Sequence, residues 1–343
     1  ILIFMKNSYL FSALLFLSVF LIFSCDDDPM PEVPKADFSK GILILNEGAH
    51  TAKDGEVYHY DPDLDVLTPN LFEKVNGKPF DGVLVDILQV DERIYLVSNT
   101  GKIEVVNASD FTSRATIVDG LVHPSSIAVV GEKLFIADFG PEPDDLSTTQ
   151  AFVAVIDGLD GGPISTKTSV APLPEVYISN SQTVVVASRI GGKIQLLNAS
   201  DGQIGLTINQ DPSYQIGGVF VGGMGANFYS FDENKIYLLT ALYPSFVLDN
   251  GRELELPNAT RKYAVLSNTE FMLITSSGVV GENDAVQING IGFDVPNDRL
   301  YLADSKGGSG DGEVRIYQKD GSVVKTLNVG RNPSGFYSSD RMW

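Results

Sequence analysis

The chain is poor in the residues most used for metal and covalent chemistry. Its 343 residues include one Cys and three His. A single Cys excludes a disulfide framework, a cysteine zinc cage and an iron–sulfur site. The His, at 50, 59 and 123, stand too far apart for an HExxH zinc motif. Cations are scarce too: 24 Lys and Arg against 44 Asp and Glu give a formal charge of −20. Binding nucleic acid requires a basic face for the phosphates, so that class is excluded. No GxSxG elbow occurs, and Gly222–Gly225 and Gly307–Gly310 match neither nucleotide-loop pattern. Asp61-Pro62-Asp63-Leu64-Asp65 opens like an EF-hand but has Val66 at the sixth position and Phe72 at the twelfth. No catalytic residue, metal ligand or cofactor is therefore assigned.

The chain also lacks a hydrophobic run long enough to span a bilayer comfortably. Tyr9 to Phe23 is apolar over about 15 residues, where a membrane helix needs roughly 20. With Lys6 before it, and Met5 read as the true start, the run suits a signal-peptide core. It ends in Ile22-Phe23-Ser24-Cys25, which resembles a bacterial lipobox, in which the Cys thiol receives the diacylglycerol. This predicts a signal peptide over 1–24, an acylated Cys25 opening a tether over 25–40, and one domain over 41–343. Several acyl chains anchor stably where one does not. Asp26-Asp27-Asp28 resembles the signal that exports Bacteroidota lipoproteins to the outer face of the outer membrane. Pro29, Pro31 and Pro34 stiffen the tether, which at about 3.1 Å per residue reaches roughly 30–40 Å.

What is abundant is glycine, 33 residues, punctuating short β-rich runs. Two decapeptides are nearly the same: Gly101-Lys102-Ile103-Glu104-Val105-Val106-Asn107-Ala108-Ser109-Asp110 and Gly192-Lys193-Ile194-Gln195-Leu196-Leu197-Asn198-Ala199-Ser200-Asp201. Their spacing equals two repeats of about 45 residues, and a period near 40–45 with four strand-like runs per unit marks a propeller. Helical periodicity is absent, which predicts almost no helix. Strand-B signatures recur at 42–45, 94–97, 134–137, 184–187, 236–239, 271–275 and 300–303. The expectation is an all-β, seven-bladed propeller, with six blades as the alternative because the unit at 258–287 offers no good C–D pair. The chain enters at Gly41 on a strand B, and Ser334–Ser338 supplies the missing strand A, so N- and C-terminal strands close one blade. Asn107, Asn198 and Asn258 open glycosylation-like triplets that read as turns.

Ile94-Tyr95-Leu96-Val97-Ser98-Asn99 with Gly101–Val106, and Leu300-Tyr301-Leu302-Ala303-Asp304 with Gly312–Tyr317, resemble the bacterial YVTN, YncE-like propeller repeat. Gly41-Ile42-Leu43-Ile44-Leu45-Asn46-Glu47-Gly48 followed by Gly55–Asp61, together with the lipobox, resembles Bacteroidota surface-lipoprotein propellers. Known members of that family bind cobalamin beside a TonB-dependent outer-membrane transporter. The resemblance spans roughly 41–338. It implies a surface propeller, with vitamin capture one possibility under it.

In a propeller the B–C and D–A connections share one face, and the A–B and C–D turns share the other. Here the long connections are B–C: 47–54, 139–150 and 305–311. Unequal loops on a repetitive scaffold mark the functional face. The ligand candidates there are Asn46, Glu47, His50, Asn99, His123, Asp138, Phe139, Arg189, Tyr243, Asp304 and Lys306, a mixture suited to a polar organic ligand with an apolar face. Asp138 and Asp304 also read as turn caps, and His123, before Pro124, as a loop residue. Glu142, Asp144 and Asp145 form an acidic loop. The leading expectation is a non-enzymatic binder that hands a small molecule to a TonB-dependent transporter. The alternatives are a protein-interaction scaffold and a metal-dependent lactonase-like enzyme using a Glu, Asn and Asp set.

Overall fold

The computed structural model describes residues 37–142, 150–180, 182–188, 193–209, 228–232, 235–240, 245–247, 253–255, 262–267, 271–275, 288–294, 296–297, 299–318 and 322–338. They form a β-propeller of six four-stranded antiparallel sheets and one small two-stranded ribbon. Blade one joins the chain ends: β1 (Ile42–Asn46), β2 (Glu56–Asp61) and β3 (Val66–Thr68) are completed by β26 (Pro333–Tyr337). Blade two is β4 (Leu84–Val90), β5 (Arg93–Ser98), β6 (Lys102–Asn107) and β7 (Ser113–Ile117). Blade three is β8 (Pro124–Val130), β9 (Lys133–Asp138), β10 (Phe152–Asp157) and β11 (Ile164–Ser169). Blade four is β12 (Pro174–Asn180), β13 (Thr183–Ser188), β14 (Lys193–Asn198) and β15 (Ile204–Asn209). Blade five is β16 (Phe228–Asp232), β17 (Lys235–Thr240), β20 (Lys262–Ser267) and β21 (Phe271–Thr275), with the ribbon β18 (Ser245–Val247) and β19 (Glu253–Glu255) inside its B–C connection. Blade six is β22 (Ile288–Asp294), β23 (Arg299–Asp304), β24 (Asp311–Gln318) and β25 (Val323–Arg331).

Among the described residues the four-stranded sheets number six, which corrects the count of seven to the six-bladed alternative. Phe271–Thr275 has the composition of an inner strand but pairs with β20 alone, as the outermost strand of blade five. The interval of 241–261 between β17 and β20 holds the ribbon, and this stretched the apparent repeat into an extra unit.

Inner strands read as continuous apolar runs because blades pack on both of their faces. In β5, Ile94 and Leu96 enter the core shared with blade one, while Tyr95 and Val97 enter the core shared with blade three. All four are fully buried, each contributing about 1.5–3 kcal/mol of transfer free energy. Outer strands are half-wet: β7 and β11 alternate exposed and covered positions. Four strand-A segments, in blades one, two, three and six, carry a bulge near the loop-side end. The repeated kink re-aims that end of the innermost strand.

The closing strand pairs Leu43 with Tyr337, Ile44 with Phe336 and Leu45 with Gly335. Tyr337 Oη then donates to Gln89 O at 2.9 Å, stitching the closed blade to blade two. One element was not expected, α1 (Leu71–Asn76), between β3 and β4. It forms because buried Glu56 supplies acceptors at its start: Oε1 takes the Phe72 N–H at 2.9 Å and Oε2 the Glu73 N–H at 3.2 Å. Burial nevertheless pushes the Glu56 carboxyl up. Leu71 and Phe72 are completely buried in the core between blades one and two.

The chain enters on the A–B/C–D side, called here the turn face. Phe38 N–H donates to Ser109 O in the C–D turn of blade two at 3.0 Å, and its ring meets His59 edge-on at 5.1 Å. His59 Nε2 lies 2.6 Å from Lys40 O, so that nitrogen carries the proton. Gly41, with φ of +82°, admits only glycine, since a Cβ there would stand 2.8 Å from His59 Nε2 and from Tyr60 O. Among the described residues no helix is long and apolar enough to cross a membrane.

Candidate functional site

Every strand B ends on a polar residue at the opposite side, the loop face: Asn46, Ser98, Asp138, Ser188, Thr240 and Asp304. Five of them are buried, at 0–2% exposure. A polar group so deep must be hydrogen-bonded, and these groups organise the loops. Asp138 is the fullest case. Its carboxylate accepts N–H bonds from Val122 (2.8 Å), His123 (2.9 Å) and Gly140 (2.8 Å). Ser98 Oγ bonds Thr100 Oγ1 at 2.7 Å, and Ser188 Oγ donates to Pro172 O at 2.5 Å. Asp304 Oδ1 accepts the Lys306 N–H at 2.9 Å, with Arg315 at 3.6 Å. Asn46 Nδ2 donates to Glu56 O at 3.2 Å. Asp138 and Asp304 thus hold loops in place from beneath, while Asn46 ties the end of β1 to the start of β2.

The sequence candidates fall into two groups. Asn99, His123, Asp138 and Phe139 meet at the seam of blades two and three. Asn99 Nδ2 donates to Pro124 O at 3.4 Å, and the Phe139 N–H donates to His123 O at 3.0 Å. His123 Nδ1 donates to Gly140 O at 2.8 Å. Asn99, His123 and Phe139 are all half-buried. Asn46, Glu47, Asp304 and Lys306 gather at the seam of blades six and one. Glu47 N–H donates to Asn332 O at 3.0 Å, and Lys306 Nζ pairs with Glu313 at 2.5 Å. His50 is exposed on the B–C loop of blade one. Arg189, Tyr243 and the acylation candidate Cys25 lie outside the described residues, as do Asp144 and Asp145.

Several loop-face residues were missed by sequence reasoning. Arg331 lies 3.4 Å from Asp54, whose other oxygen accepts the Ala49 N–H at 2.6 Å, and Asn332 Nδ2 donates to Gly48 O at 2.9 Å. The signal was present: His123-Pro124, Leu173-Pro174 and Asn332-Pro333 each stand at the entry to a strand A. The residue before each Pro occupies an equivalent place on the inner rim. Lys102 was also missed. Its ammonium sits 4.5 Å over the Phe80 ring, near Glu104 at 3.5 Å, and burial lowers its pKa. Among the described residues no three His, Cys, Asp or Glu side chains converge as a metal cage would.

No known family profile matches the chain, and no curated protein does. Solved structures match it by shape. A quinoprotein alcohol dehydrogenase-like protein from Bacteroides thetaiotaomicron is similar at 13% identity and TM-score 0.59, over 88% of this chain and 79% of that one. The dihydro-haem d1 dehydrogenase NirN is similar at 12% identity and TM-score 0.51, over 89% and 76%. At such identities the likeness is one of fold alone.

Proposed function

We propose that this chain is a lipid-anchored propeller on the outer face of the outer membrane. Its loop face binds a small polar organic molecule, cobalamin-like or another nutrient, for delivery to a TonB-dependent transporter. One observation carries the reading: the chain joins the propeller at the turn face, through Phe38 and Lys40, while the long B–C and D–A connections gather on the opposite face. The side on which the chain enters is thus not the side of the long connections, so an acyl anchor at Cys25 does not need those loops. Retention near the transporter raises effective concentration without any catalytic step. The buried strand-B ends support the same reading, because they fix loop backbone before ligand arrives and so lower the ordering cost of binding.

Calorimetry of the purified protein against cobalamins, ferric haem, siderophores and oligosaccharides tests the binding. Haem is included because NirN, of similar fold, is a dihydro-haem d1 dehydrogenase. Micromolar or tighter binding of one class is expected, and silence across all of them would remove the small-molecule reading. Metabolic palmitate labelling that disappears in Cys25→Ala, with protease accessibility on intact cells, tests the address. Co-purification with a barrel protein in the absence of any small molecule would instead favour an interaction scaffold.

A further inference from the structure

We propose that the outer corner of the turn face, where blades six and one meet, seats against the surface of the lipid bilayer that holds the anchor. This contact rests on the lipid-anchored reading above and adds to it a protein surface that touches lipid. Among the described residues the exposed large apolar side chains are Leu64, Val66, Val118, Leu206, Val323 and Val324. Leu64, Val66, Val323 and Val324, exposed by 46–73%, share this corner. Leu64 and Val66 flank Asp65 where the C–D turn of blade one opens β3. Val323 and Val324 precede Lys325 at the start of β25. Asp65 and Lys325 pair across the seam, so the two apolar pairs are tied together. Tyr60 Oη donates to Asp65 Oδ1 at 2.8 Å, and Lys325 Nζ stands 5.5 Å from the centre of the Tyr60 ring. The charges inside the patch therefore offset each other, which lowers the cost of drawing water away from them.

The fold does not demand this exposure. Phe111, in the C–D turn of blade two, is completely buried. Leu159, in the C–D turn of blade three, packs against the core between blades two and three. Leu64 occupies a comparable turn and points into solvent. A single exposed apolar residue needs no explanation, whereas a group of them rimmed by polar residues marks a contact surface.

Two observations favour lipid as the partner. The first is area. These four side chains expose a few hundred square ångströms, well below the roughly 800 Å² that each partner buries in a stable protein interface. That is too little to hold a second copy, but a surface tethered nearby needs far less, because the tether supplies effective concentration. The second is the place where the chain enters. Gly41 lies so close to Tyr60 that a Cβ on it would stand 2.8 Å from Tyr60 O, and Tyr60 is the residue that binds Asp65. Entry and patch thus share one end of blade one. The tether over 25–36 reaches roughly 30–40 Å, which allows this end of the propeller to come down onto the bilayer.

Tryptophan quenching tests the contact. The protein from Cys25 onward, with Trp343→Phe to remove its single Trp, is coupled through its single thiol to vesicles of brominated phosphatidylcholine bearing a maleimide lipid. Supplying the anchor chemically makes the result independent of acylation in the cell. Leu64→Trp should lose about half its emission or more, because an interfacial apolar surface sits roughly 5–10 Å deep, within reach of the bromines. Val118→Trp, on the D–A connection of blade two at the loop face, should keep its emission. Adding Val323→Ser and Val324→Ser should cut the quenching of Leu64→Trp by about half, in proportion to the apolar area removed. Thermal melting should be unchanged, since both valines are exposed. Absent quenching at 64, equal quenching at 64 and 118, or quenching that survives both serines overturns the contact. So does a dimer of the uncoupled protein that the two serines dissolve, which would assign the patch to a second copy. Failed palmitate labelling would instead remove the anchor, and the contact would fall together with the reading it rests on.

Discussion

Asp138 shows how a single residue sets up the loop face. Three backbone N–H groups converge on its carboxylate, and the side chain is completely buried. Asp138→Asn turns one acceptor into a donor facing those N–H groups, at a cost of about 1–3 kcal/mol, readable in urea titration. Asp304→Asn should cost less, because one of its partners is the partly exposed Arg315. On the opposite face, Asp160 takes a bidentate pair of bonds from Arg93 Nε at 2.9 Å and Nη2 at 3.1 Å. That contact, helped by Arg114, holds its carboxyl down at about 2. A carboxyl depressed in the folded state adds stability above its unfolded pKa of about 3.9, and the gain disappears as pH falls toward 2. Asp160 is nearly half exposed, so screening limits the gain to about 0.5–1 kcal/mol. Asp160→Asn should therefore melt earlier than the parent at pH 7 and together with it at pH 2. The turn-capping role of Asp138 and Asp304 was legible in the sequence because Asp at a strand end has few other uses. The position of Asn332 was readable from the proline that follows it, but the bonds that Arg331 and Asn332 make were not, since they reach residues 48 and 54 at the far end of the chain.

Elements show where pattern reading succeeds and where it slips. The two decapeptides correspond to β6 and β14 with their C–D turns, and the turns share bonds as well as letters. Phe111 N–H donates to Asn107 O and Gly202 N–H to Asn198 O, each at 2.8 Å. That regularity is local, so it survives in the sequence. Helix α1 could not be foreseen, because a segment of six residues has no periodicity to read and its start is held by a glutamate on another strand. Blade count failed for a related reason: Phe271–Thr275 has inner-strand letters in an outer position, and only pairing distinguishes them. Closure was readable because the first strand lacked an inner neighbour. Stopping the chain after Arg331 removes β26 and leaves β1 with an open edge. Such edges recruit other chains. The truncated protein should elute as aggregates in size-exclusion chromatography and lose its sharp melting transition. A monodisperse, cooperatively melting product would show that the ring does not need its closing strand.

At the scale of the whole propeller, two faces do different work. The turn face carries the entering chain, fastened by Phe38 and His59, and the loop face carries the long connections over a floor of buried polar strand ends. The gathering of long connections on one face was expected from unequal loop lengths, and the entry of the chain on the other face was not. The residues that fix the loop backbone emerged only with the hydrogen bonds. Amide hydrogen exchange tests the division most directly, comparing the free protein with each complex that calorimetry returns. Slowed exchange is expected in 99–101, 118–123 and 139–142 on the loop face, with the turns at 62–65, 108–112 and 131–132 unchanged. Protection confined to those turns, or to the segment 37–41, would contradict it.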